Sequence, residues 1–168
     1  MATLEGGRGA TCTASGHSAQ MLTMFALMQP GDTMIASNKL YGGSITQVPY
    51  PLSTSQPLYL STSLYFCLPS TNGGFITQFG KTFQKFDWRC VFVDCDDLSA
   101  VKAAIAAPRV KALWAESLAN PGGVVSDIRA LADLAHEVGI PLIIDNTMAT
   151  PYLCRPIDHG ADLVCHST

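Results

Sequence analysis

Two kinds of apolar run alternate along the chain. The first is broad and rich in Ala, Leu and Met. SAQMLTMFALM, starting at Ser18, is of this kind and predicts a helix that Ser15 is suited to cap. The second is short, continuous and β-branched or aromatic. TMIAS (33–37), RCVFVD (89–94), VKALWAE (110–116), IPLII (140–144) and ADLVCH (161–166) are the predicted strands. Further helices are expected over 79–86, over 98–106 with Pro108 as the stop, and from a Ser126 cap through Val138 to Gly139. Pro30-Gly31-Asp32 and Asn120-Pro121-Gly122-Gly123 read as turns. Strands that are apolar on both faces and alternate with helices predict an α/β fold, a mostly parallel sheet with helices on both faces.

One stretch breaks the rhythm. No residue between Lys39 and Lys81 is charged, and VPYPLSTSQPLYLSTSLYFCLPSTN (48–72) holds four of the ten prolines and three of the five tyrosines. Its flanks echo one another, since GGSITQ (42–47) recurs as GGFITQ (73–78). Structureless loops beyond about 15 residues are uncommon in compact domains. Residues 48–78 are therefore read as an unstructured insertion, with a translated intervening sequence as one origin.

The length of 168 residues fits one domain, and a hydrophobic share of 48% supplies its core. A net charge of -3 without a basic cluster argues against nucleic acid or an anionic membrane as partner. Six cysteines without a CxxC pair, and no His/Cys/Asp grouping at ligand spacing, argue against a metal site. Reduced thiols, no apolar leader core at the N-terminus, and a longest apolar-leaning run (58–68) too short for a bilayer lead to an expected cytoplasmic location.

Ligands of parallel sheets sit at the carboxyl ends of the strands. That singles out Glu116, Asn120, Asp145, Thr147, His166 and Ser167. Asp145 suits a cation, a ribose or a protonated ring nitrogen, and equally a local turn through Asn146 and Thr147. Ser15-Gly16-His17 opens a helix, where free N–H groups suit a phosphate, although an ordinary cap explains the same residues. Gly6-Gly7-Arg8-Gly9 lacks the spacing of a dinucleotide fingerprint, and no GxxxxGK[ST] loop occurs. His136 reads as solvated and His159 as a turn residue.

ASGHSAQ, PGDTMIAS, LYGGS, ESLANPGG, DIRALADLAHEVGIPLIIDNT and TPYLCRPIDHGADLVCHS, in that order, resemble the Cys/Met-metabolism pyridoxal-phosphate enzymes over nearly all residues outside 48–78. ASGHSAQ, LYGGSITQ and GADLVCHS are similar to the branch acting on O-acetylhomoserine. The resemblance implies part of the large cofactor domain of a fold-type I enzyme, with pyridoxal phosphate as cofactor and no metal. It assigns Ser15, Gly16 and His17 to the cofactor phosphate, together with the Ser167 hydroxyl. Tyr41 is expected on the pyridine ring, Asp145 at the ring nitrogen and Asn120 beside the 3-oxygen. Glu116 and Thr147 belong to the same motifs as Asn120 and Asp145.

The implied reaction is a γ-replacement in transsulfuration and methionine biosynthesis. Sulfide displaces acetate from O-acetylhomoserine and homocysteine results. The resemblance also implies a Schiff-base lysine shortly after His166-Ser167, hence beyond Thr168. The chain is therefore expected to be a truncated, inactive piece of a transferase whose relatives form tetramers. Cystathionine γ-synthase or γ-lyase chemistry, and a non-catalytic fragment pairing with full-length subunits, are the alternatives.

Overall fold

The computed structural model describes residues 1–41 and 78–167. A one-turn helix α1 (Ala2–Glu5) and an exposed loop lead into α2 (Gly16–Leu27), then β1 (Thr33–Ser37). After the segment outside the described residues come two short helical turns, Gln78–Thr82 and Phe83–Phe86. The order continues with β2 (Arg89–Val93), α3 (Leu98–Ile105), β3 (Val110–Glu116), α4 (Ile128–Glu137), β4 (Leu142–Asp145), α5 (Thr150–Leu153), the turn Pro156–His159 and β5 (Leu163–Cys165). The proposed insertion lies outside the described residues except for Gln78. That residue is buried and donates from Nε2 to the His17 carbonyl at 3.3 Å.

The strands form one parallel sheet in the order β2-β1-β3-β4-β5. Each central strand buries both faces, which is why its sequence is apolar without alternation. Ile35, Leu113, Ala115, Leu142 and Ile144 face Val101 and Ile105 of α3 and Leu131 and Ala135 of α4. The intervening Met34, Ala36, Ala112, Trp114 and Ile143 face Met24 of α2 with Phe79, Phe83 and Trp88. Edge-on aromatic contacts knit that second layer, with Phe79 5.6 Å from Trp114 and Phe83 5.3 Å from Trp88.

Two expectations need correction. Asp127, not Ser126, caps α4, its carboxylate accepting the Ala130 N–H at 3.0 Å. Ser126 instead donates its hydroxyl to the Glu116 carbonyl at 2.7 Å and fastens the turn to the end of β3. The strand expected over 140–144 runs from Leu142 to Asp145, so Asp145 belongs to the strand rather than following it. His136 is exposed as expected, and its Nε2 lies 2.9 Å from Oδ2 of the exposed Asp162.

Candidate functional site

Strand register sets the floor of the site. Glu116 of β3 stands beside Asp145 of β4, and Asp145 beside Cys165 of β5. Helix α2 approaches the same sheet edge with its N-terminus. Its cap is the predicted one, because Ser15 is extended and its Oγ accepts the Ser18 N–H at 3.2 Å. The first N–H groups of a helix have no carbonyl partner within it, and the helix dipole makes that end positive.

Between these elements lies a hollow of about 250 Å³. Gly16, His17, Tyr41, Glu116, Asn120, Asp145, Thr147 and Ser167 all border it. Of the residues singled out in the sequence for the site, Ser15 and His166 do not border it; Ser15 shapes the first turn of α2, and His166 Nε2 lies 2.6 Å from Glu5 Oε1. Leu118 and Met148 also line the hollow, and nothing in the sequence marked them, since single apolar loop residues carry no pattern.

Gly16 and Ser167 meet closely. A Cβ on Gly16 would come within 2.7 Å of Ser167 Cβ and 3.0 Å of its Oγ. Ser167 is held in place by its own N–H, which donates to Thr147 Oγ1 at 2.8 Å. The positive end of α2, the Ser167 hydroxyl and the Thr147 side chain thus gather at one end of the hollow.

Glu116 serves as a clamp. Its Oε1 accepts the Tyr41 N–H at 2.6 Å and its Oε2 the Asn120 N–H at 3.0 Å. The loop after β1 and the turn after β3 are therefore joined through one buried carboxyl group. Burial pushes that carboxyl up to about 7, those two N–H groups oppose the shift, and Asp145 nearby adds to it. Asp145 is also raised by burial, against bonds from Thr147 and the imidazoles of His166 and His17. One oxygen of Asp145 accepts the Thr147 N–H at 2.9 Å, so the turn-capping reading of this residue is realised too.

Among the described residues no cysteine borders the hollow. Burial pushes Cys165, beneath the floor, up to about 11, so it stays protonated at neutral pH. None of the five lysines borders the hollow. Lys39 is bound to Asp94 at 2.9 Å and Lys102 to Glu137 at 2.9 Å. Among the described residues no cluster of His, Cys, Asp or Glu is arranged to hold a metal, and no helix is long and apolar enough to cross a membrane.

The profile of the Cys/Met metabolism PLP-dependent enzyme family matches residues 1–63 and 60–168. The chain belongs to that family. Members of the Cys/Met metabolism family use pyridoxal phosphate. Over 99% of its length this chain is 36% identical to the O-acetyl-L-homoserine sulfhydrylase of Leptospira meyeri, and it spans 30% of that protein. It is 33% identical to the L-methionine gamma-lyase of Pseudomonas putida, of which it covers 34%. In structure it superposes on a Campylobacter jejuni chain described as an O-acetylhomoserine (thiol)-lyase carrying N′-pyridoxyl-lysine-5′-monophosphate. The TM-score is 0.77 with 30% identity, over 99% of this chain and 33% of the other. The chain thus spans about a third of the length of the relatives it matches.

Proposed function

We propose that residues 1–168 form the cofactor-binding face of a pyridoxal-phosphate-dependent transferase that makes homocysteine from O-acetylhomoserine and sulfide. The observation carrying this reading is the meeting of Gly16, Tyr41, Asp145 and Ser167, from four separate parts of the chain, on one hollow.

The residues present fit the cofactor. At one end a helix N-terminus and hydroxyl groups converge around a contact that admits only glycine, which suits a phosphate dianion. In the floor a carboxyl group is driven up by burial, and a positively charged ring N–H would relieve that cost. Pyridoxal phosphate supplies an electron sink for carbanion chemistry. In this reading Gly16, His17, Ser167 and Thr147 bind the phosphate, and Asp145 holds the proton on the ring nitrogen. Tyr41 covers the ring plane, and Asn120 orients the 3-oxygen. Glu116 holds Tyr41 and Asn120 in register by their main chains rather than touching the cofactor.

The amine that tethers the cofactor is not among the residues bordering the hollow, so this stretch of chain is proposed to bind the cofactor and not to turn over substrate alone. A homo-oligomeric assembly and a cytoplasmic location go with the same reading.

The test has two parts. Pyridoxine 5′-phosphate, which has no aldehyde and needs no lysine, should bind the 168-residue chain with one-to-one stoichiometry by isothermal calorimetry. Absence of saturable binding would refute the cofactor face. A protein containing this stretch and its lysine should release acetate from O-acetylhomoserine only with sulfide present. Release of ammonia and a 2-oxo acid without sulfide would favour the lyase reading, which the 33% identity to the gamma-lyase supports.

A further inference from the structure

Helix α1 is a single turn, and the only side chain it buries is a charged one, Glu5, at 4% exposure. One carboxylate oxygen, Oε1, receives two partners. Asn146 Nδ2 donates to it at 2.8 Å, and His166 Nε2 lies 2.6 Å away. A carboxylate offers only acceptors, so the hydrogen of His166 sits on Nε2. The other oxygen, Oε2, is enclosed and makes no hydrogen bond among the described residues.

The partners are placed tellingly. Asn146 lies between Asp145 and Thr147, and His166 directly precedes Ser167. All three of those neighbours border the hollow. Asn146 is fully buried and saturated, with its Oδ1 accepting from Ser117 Oγ at 2.7 Å. Its Nδ2 also donates to the Cys154 carbonyl at 2.9 Å, and its N–H to the Cys165 carbonyl at 2.9 Å. The brace therefore ties the residues that directly follow β3, β4 and β5, namely Ser117, Asn146 and His166, to one carboxylate supplied from the far N-terminus.

Adhesion of α1 does not explain this choice of residue. A buried carboxylate with one oxygen unsatisfied stabilises less than an aliphatic side chain of the same volume would. What a carboxylate adds is direction, because two N–H groups must point at one atom. We infer that Glu5, which does not touch the hollow, is a positioning residue for its phosphate end, orienting Asn146 and His166 and through them Asp145, Thr147 and Ser167. The consequence for ligand affinity rests on the cofactor reading above. The consequence for the strand ends does not.

The experiment compares the 168-residue chain with E5A and E5Q in two measurements. The first is amide hydrogen exchange by NMR. E5A should speed exchange at Asn146 and Ser167 at least tenfold while the β3 amides of Leu113 and Ala115 keep their rates. E5Q, whose amide oxygen accepts the same two bonds, should stay within threefold of the parent. Unchanged strand-end exchange in E5A, or equal acceleration in β3, overturns the inference by showing no role or a merely global one. The second measurement is affinity for pyridoxine 5′-phosphate, expected to fall at least tenfold in E5A and to recover in E5Q. If the parent chain itself does not bind, the cofactor reading fails while the exchange result still decides the role of Glu5. Should E5A not fold, H166A removes one arm of the same brace and is judged by the same two criteria.

Discussion

Gly16, at the first position of α2, and Ser167, two residues past β5, approach so closely that a methyl group on Gly16 would overlap the Ser167 Cβ at 2.7 Å. The helix N-terminus can reach the strand-end hydroxyl only because one of the pair lacks a side chain. Gly16→Ala should therefore destabilise the fold by about 1–3 kcal/mol, the usual cost of overpacking. It should also weaken pyridoxine 5′-phosphate binding at least tenfold. Ser167→Ala should not relieve the clash, since it keeps the Cβ, whereas Ser167→Gly should. Urea titration of G16A, G16A/S167A and G16A/S167G checks the order.

Glu116 predicts an unusual slope of stability with pH. Its carboxyl group titrates near 7 in the folded chain, above the ordinary 4.5. Between those values the folded state keeps a proton that the unfolded state has released. This group's contribution is therefore complete below about pH 4.5 and is lost as pH rises through 7, by on the order of 3 kcal/mol. Glu116→Gln removes the titration. Denaturation free energies measured from pH 4.5 to 8 should decline less steeply in E116Q than in the parent, and parallel curves would refute the assignment.

Asp145 offers a cleaner separation of charge from shape. Asparagine preserves the volume and an oxygen for the Thr147 N–H bond seen at 2.9 Å. It cannot hold a proton on a ring nitrogen. D145N should fold with the parent's melting temperature to within a few degrees and yet lose at least tenfold in affinity for pyridoxine 5′-phosphate. Equal affinity in calorimetry would place the ring nitrogen elsewhere.

The caps of α4 supply a fourth check. Asp127→Ala removes the acceptor for the Ala130 N–H and should cost about 1 kcal/mol, the usual value for a lost N-cap. Ser126→Ala leaves that helix capped and frees only the bond to the Glu116 carbonyl. Chemical denaturation of the two variants tells them apart. D127A should leave the binding hollow intact, and S126A should perturb the loop that carries Asn120.

Residues 33–37 and 110–116 are strands as their sequence predicts, and α2 begins at its Ser15 cap. In these segments one local interaction dominates: near-continuous burial of a short apolar run in a strand, or a serine hydroxyl on a helix N–H. The sequence points to a cap one residue too early for α4 because Ser126 and Asp127 are both competent caps, and only the Glu116 carbonyl, ten residues away, draws the serine off. Helices α1 and α5 carried no periodic signal, since one turn is too short to show any.

Motif order along the chain was enough to name the family and to nominate Gly16, Tyr41, Asp145 and Ser167. Folding alone decided that these four share a hollow, that Glu116 joins the main chains of Tyr41 and Asn120, and that Glu5 reaches Asn146 and His166 across more than 140 positions. The division has a physical origin. Hydrophobic period and capping act over a few residues and leave their mark in order along the chain. Close approach, desolvation and shared hydrogen bonds depend on distances in space, which exist only once the sheet has brought its strand ends together.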